Sequence, residues 1–246
     1  MVFRELVVGV LLAVVVVPSA HAQSPLQMPG EQPGSLLREA FGSAYGQSLA
    51  DEFGKALRNA ADPACLDSRK VTANELRQRG LDLMVKWGTR MLEQSAALID
   101  AKAYEAQLTA AAGQNAPAEL ARLEDDADVR RYREIERPIR LTAVLDAMFE
   151  QFDHYVMIGK MKIAPVSPLA SGNDALLSKD PTEASERDLK EFVAAHPSPA
   201  LKRFLKLSED AADATTAAIN TDQAEKAEPA AFFHGIEADL TEICVR

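Results

Sequence analysis

This sequence predicts an all-α fold, and three observations carry that reading. Apolar residues recur three and four positions apart through most of the chain, the spacing that lines one face of a helix. Helix start signals stand just ahead of those stripes: Thr72-Ala73-Asn74-Glu75, Pro117 and Ser198-Pro199. No sustained period-two run rich in β-branched residues occurs, so nothing marks a half-buried strand. The expectation is a bundle of about six to seven helices behind an N-terminal signal peptide.

The signal comes first. Leu6 to Val17 is apolar and uncharged, but as a helix it would reach only about 18 Å at roughly 1.5 Å per residue. A bilayer core of about 30 Å asks for around 20 such residues. Arg4 precedes the run, Pro18 stops it, and Ala20-His21-Ala22 has the small-x-small form that a signal peptidase accepts. Residues 1–22 therefore read as a cleaved export signal, with cleavage between Ala22 and Gln23; an uncleaved anchor is the alternative. The expected location is the periplasm or the exterior, with no transmembrane anchor in the mature chain. Cleavage leaves about 224 of the 246 residues, room for one sizeable domain or two small ones.

Charge narrows the partners. The formal net charge is -10, whereas affinity for nucleic acid comes mainly from neutralising phosphates, so no nucleic acid is expected. Lys202, Arg203 and Lys206 are followed at once by Glu209, Asp210 and Asp213, an ordinary mixed helix surface. The two cysteines, Cys65 and Cys244, form an even pair that reads as one disulfide in an oxidising compartment. Two unpaired thiols in apolar surroundings are the alternative. A bridge closing a loop of about 180 residues is worth up to roughly 5 kcal/mol in chain entropy.

Residues 23–34, with three prolines and two glycines, form a flexible lead-in. A helical region then spans residues 35–160. Leu37, Phe41, Tyr45, Leu49, Phe53 and Leu57 share one helical face, ended by Asp62-Pro63, and Gly42 with Gly46 reads as local packing. A capping box at Thr72 and Glu75 opens the next helix, carrying Leu76, Leu83, Met84, Trp87, Met91, Leu98 and Ile99 as one helix or two with a break near Gly88. Trp87 is most simply a core residue. Pro117 opens a charged segment in which Asp126–Arg130 and Glu136–Arg140 have the spacing of a solvated helix face. Pro138 should kink or divide that helix. Ile139, Leu145, Phe149, Phe152 and Val156 make the strongest apolar stripe, ending near Gly159.

Residues 161–181 form an irregular connection, either a boundary between helical regions or a lid. In the C-terminal helical region, residues 182–246, Ser185 is expected to cap a short helix bearing Leu189, Phe192 and Val193. Pro197 closes it, Ser198-Pro199 opens a helix running towards Ile219, and a last piece after Pro229 carries Phe232, Phe233, Ile236, Leu240 and Ile243 to Cys244.

For chemistry, Asp146, Glu150 and His154 share one helical face, and carboxylates with an imidazole can bind a divalent metal. The helical di-iron pattern needs Glu-x-x-His, and Gln151 stands where that Glu belongs. The stripe lies opposite Phe149 and Phe152, so a solvated polar face is the plainer reading. His196 reads as a loop residue and His234 as packing. No Gly-x-Ser-x-Gly elbow or phosphate-cradling loop occurs. The residues call for no cofactor and no catalytic group.

Glu186-Arg187-Asp188-Leu189-Lys190-Glu191-Phe192-Val193 followed by Ser198-Pro199-Ala200-Leu201-Lys202-Arg203-Phe204-Leu205 resembles a family of bacterial envelope proteins of unknown function, over roughly residues 182–220. His196-Pro197 and Leu201 depart from the family's pattern. The resemblance implies an exported helical fold and transfers no catalytic residue. Two functions fit: a non-enzymatic envelope protein that binds another protein as an adaptor, assembly or stress-related factor, or a carrier of a small apolar ligand or lipid.

Overall fold

Helices make up every regular element of the computed structural model, which describes residues 32–159, 161–219 and 235–245; among these there is no strand. The apolar leader, the Ala22–Gln23 cleavage position, Phe232, Phe233 and His234 lie outside the described residues. Ten helices of seven residues or more are present among the described residues, with two single turns besides, more than the six or seven expected. In chain order they are α1 (Pro33–Gly42), α2 (Ala44–Ala60), α3 (Pro63–Arg69), α4 (Ala73–Ala97), α5 (Ala101–Ala112), α6 (Ala116–Leu123), α7 (Ala127–Ile158), α8 (Pro168–Ser171), α9 (Asp174–Leu177), α10 (Thr182–Ala195), α11 (Pro199–Ala218) and α12 (Ile236–Glu242).

The extra helices come from local capping that breaks long apolar stripes. Ser43 caps α2 by accepting from the Gly46 N–H at 2.9 Å, dividing what reads in sequence as one helix. The chain doubles back so tightly there that a Cβ on Gly46 would lie 2.1 Å from the Ala40 carbonyl oxygen. Gly46 thus serves local packing, whereas Gly42 has open space around it. Asp100 caps α5 through Lys102 and Ala103. Asp126 accepts from the Asp128 and Val129 N–H groups at the start of α7, so it acts as a cap and not as the partner of Arg130.

Where the sequence left one helix or two, the helix is continuous, and two other expectations meet corrections. α4 runs unbroken through Gly88, where an added Cβ would stand 2.5 Å from the Met148 sulfur. α7 is continuous through Pro138. Glu136 and Arg140 are buried, and Glu136 accepts from Arg133 at 2.7 Å, so this part of α7 is not a solvated face. α10 begins at Thr182, which puts Ser185 inside its first turn, buried and not at the cap. The capping box is made as expected: Glu75 accepts from the Thr72 N–H at 2.8 Å and its own N–H donates to the Thr72 hydroxyl at 3.2 Å.

The described residues divide into two compact units. One draws on Leu92–Val144 and on the chain from Pro181, and its core is largely aliphatic. There α11 packs along α5 and meets α6, burying Leu108, Leu120, Leu201, Phe204 and Leu207. Tyr132 meets the Phe204 ring edge-on, with the Arg133 guanidinium 5.7 Å from its centroid, a cation–π distance.

The other unit draws on Gly34–Met91, Leu145–Asp180 and the C-terminal residues, and its core is aromatic. Phe53 meets Phe149 and Phe152 edge-on at 5.9 and 5.2 Å, and Trp87 stacks on Phe152 at 5.7 Å. Trp87 is fully buried, as its place in the apolar stripe suggests. Gly80 faces this core so closely that a Cβ would lie 2.5 Å from Leu57.

Candidate functional site

The second half of α7 carries the stripe that the sequence offers as a polar face, and the aromatic unit draws part of it inward. Asp146, Glu150 and His154 are all half-buried, not solvated. Asp146 accepts a hydrogen bond from the Tyr45 hydroxyl, a contact made 101 residues away on α2. Burial raises the Asp146 pKa to about 6; the Tyr45 hydrogen bond works against that rise, while Asp180 and Glu150 add to it. Burial, with Asp146 behind it, holds the Tyr45 phenol far above its ordinary value, so it stays a donor. Glu150 is also raised, by burial and then by Asp153.

Asp153, one turn further, is buried and takes a structural part. It accepts from the Val166 N–H through both carboxylate oxygens at 3.0 Å and from the Ser167 N–H at 2.7 Å. Three N–H contacts on one carboxylate pin the connection that follows α7, and Ile163, Val166 and Leu176 are buried along it. Lys179, at the far end of that connection, donates to the Ser48 hydroxyl at 2.9 Å.

The resulting cluster is Tyr45, Ser48, Asp146, Glu150, Lys179 and Asp180. Burial favours the neutral form of its Asp146 and Glu150 carboxyls, Asp146 above all, beside a phenol that stays protonated. Among the described residues no three His, Cys, Asp or Glu side chains converge so as to hold a metal ion, and Asp146 is engaged by Tyr45. His196 lies far along the chain at the end of α10, where its ring stacks on Phe192 at 4.3 Å and its Nδ1 stands 3.0 Å from the Phe192 carbonyl oxygen.

A second constellation surrounds the C-terminus. The Cys65 and Cys244 sulfurs lie 2.05 Å apart, at disulfide distance, with Cα atoms 5.7 Å apart. The Asp62 N–H donates to the Cys244 carbonyl at 2.8 Å, and Arg69 donates to the Glu242 carbonyl at 2.6 Å. Asp239 accepts from Lys86 at 2.8 Å and from the Trp87 indole at 2.9 Å. Burial alone would raise the Asp239 pKa, but Lys86 and Trp87 outweigh it and hold the carboxyl below its ordinary value. α12 ends in a Schellman motif: Val245 N–H to Leu240 carbonyl, Cys244 N–H to Thr241 carbonyl. The left-handed seat of that motif usually falls to glycine, yet here it holds Cys244 at φ 67°. Lys70, the C-cap of α3, takes the same conformation at φ 53°, and among the described residues these two are the only non-glycine residues with positive φ.

Two of the three basic residues on α11 are paired with carboxylates. Arg203 donates to Glu119 at 2.6 Å and Lys206 to Asp210 at 2.7 Å. The Tyr45–Asp146 pair and the Trp87–Asp239 latch escaped the sequence because each joins residues more than 100 positions apart. A tyrosine inside an apolar stripe, facing a helix with an inward aspartate, is the only signal the sequence offers for the first. No protein-family model, curated protein or solved structure matches this chain.

Proposed function

We propose that the mature chain is an exported, non-enzymatic helical protein of the bacterial envelope that binds another protein as an adaptor or assembly factor. The observation that carries this reading is α10. Of its 14 residues only Ser185 is buried, although the helix presents Leu189, Phe192 and Val193 on one face. Phe192 and Val193 are partly buried against the aliphatic core. A helix that leaves its apolar face half-covered suits reversible contact with a partner. The corner from Glu186 to Leu205, which resembles exported envelope proteins, includes this helix from Glu186 onwards.

Export is supported by the short apolar leader and by a cysteine pair at disulfide distance, which an oxidising compartment would lock. No helix among the described residues is long and apolar enough to cross a membrane. Tight packing at Gly80 and Gly88, where no methyl group fits without displacing a neighbour, favours the adaptor over a carrier with a roomy apolar cavity in the aromatic unit.

The test is photo-crosslinking in intact cells. A crosslinking residue at Ala194 or Ala195 on exposed α10 positions should capture a discrete protein, and one at exposed Glu93 should not. Equal capture at both, or none at α10, counts against the adaptor. A lipid or other apolar molecule retained in native mass spectrometry would favour the carrier instead.

A further inference from the structure

The two halves of the cysteine pair are anchored very differently. α12 is held by buried Ile236 and Leu240, by Ile243 and Val245 just beyond it, and by the bonds from Lys86 and Trp87 to Asp239. α3 buries none of its seven residues. Cys65 and Leu66 are only half-buried, and the bonds that tie the helix to the C-terminal residues are the sulfur contact, the Arg69 bond to the Glu242 carbonyl and the Asp62 bond to the Cys244 carbonyl, beside the Ala61–Val245 bridge. The two residues differ too: Cys244 is 2% exposed, while Cys65 is half-exposed on a surface helix. Access is one of the factors that set which sulfur of a disulfide a thiolate attacks.

We infer that Cys65 is a thiol–disulfide exchange site, open to small thiols and to the dithiol of an oxidoreductase, and that exchange there releases α3 while α12 stays seated. An incoming thiolate attacks the Cys65 sulfur and forms a mixed disulfide. The bond to the Cys244 sulfur breaks, and Cys244 leaves as a thiolate that takes a proton from solvent. Because α12 keeps its buried side chains and the Asp239 latch, Cys244 stays in place and can attack Cys65 again, expelling the thiol. The clasp opens and closes without unfolding the unit. This goes beyond the adaptor reading and does not depend on α10.

Reduced glutathione is the probe, applied to the full mature protein after non-reducing peptide mapping has located the bridge. The expected product carries glutathione on Cys65 and a free thiol on Cys244. Amide exchange should accelerate by about tenfold or more across residues 63–70 and stay within about twofold across 236–243. Emission from Trp87, the only tryptophan, should not change, because its bond to Asp239 persists. In Cys244→Ser, Cys65 should accept glutathione from oxidised glutathione; in Cys65→Ser, Cys244 should remain unmodified. Glutathione on Cys244, even labelling of both, loss of protection through α12, a shifted Trp87 spectrum, or a bridge untouched by millimolar glutathione would each overturn the inference. Should a variant fail to fold, the titration of the unsubstituted protein decides alone.

Discussion

Replacing Asp146 with asparagine should stabilise this protein at neutral pH and leave it unchanged in acid. The carboxyl titrates near pH 6 in the folded chain, against an ordinary value of 3.8, because burial penalises its charge. Between those two values the folded state binds more protons than the unfolded state, so stability falls as pH rises through the window. Below about pH 3.8 the neutral acid is present in both states and its contribution is complete; above about 6 it is gone. The interval from 3.8 to about 6 corresponds to at most about 3 kcal/mol. Solvent screening of a half-buried group reduces that to roughly 1–2 kcal/mol. In Asp146→Asn the amide oxygen still accepts the Tyr45 proton, and no charge is buried. Urea unfolding at about pH 7.5 and pH 3.5 measures both ends; shifted acids remote from Asp146 cancel in the difference, while relief of its repulsion with Glu150 and Asp180 adds to the gain at the higher pH. A gain of roughly 1–2 kcal/mol at the higher pH, vanishing at the lower, is expected. Destabilisation at pH 7.5, or the same gain at both, would refute the burial argument.

Gly46→Ala should cost about 2 kcal/mol or more in chemical denaturation, because its Cβ meets the Ala40 backbone oxygen at 2.1 Å and backbone cannot step aside. Gly88→Ala should cost less, since the obstructing Met148 sulfur belongs to a flexible side chain. Lys70→Gly should gain about 0.5–1 kcal/mol by relieving a left-handed lysine on the surface, read as a higher unfolding midpoint. Asp153→Ala should cost about 1–3 kcal/mol by orphaning the Val166 and Ser167 N–H groups, whose hydrogen exchange should accelerate in step.

Features set by a few adjacent residues were legible in the sequence. Thr72 and Glu75 satisfy each other's backbone N–H within one turn, and Ser198 caps α11 by accepting from Leu201. The stripe of Leu145, Phe149, Phe152 and Val156 is buried because period alone decides which way those side chains point. Where two local rules competed, the sequence did not say which wins. Asp126 can pair with Arg130 or cap α7, and it caps; Ser43 can sit in a helix or start one, and it starts one because Gly46 allows the close turn. Asp146 shows a further limit. Its helical phase relative to Phe149 placed it towards solvent, but Tyr45 reaches it from another helix, and that approach is a tertiary fact.

The proposed export and the Cys65–Cys244 bridge are tested most directly on the protein as it accumulates in the cell. Intact mass and a non-reducing peptide map of protein recovered from the envelope fraction measure both together. The expected result is a chain that starts at Gln23, with the peptides bearing Cys65 and Cys244 joined. A chain that still starts at Met1, with both thiols free to alkylate, would contradict it.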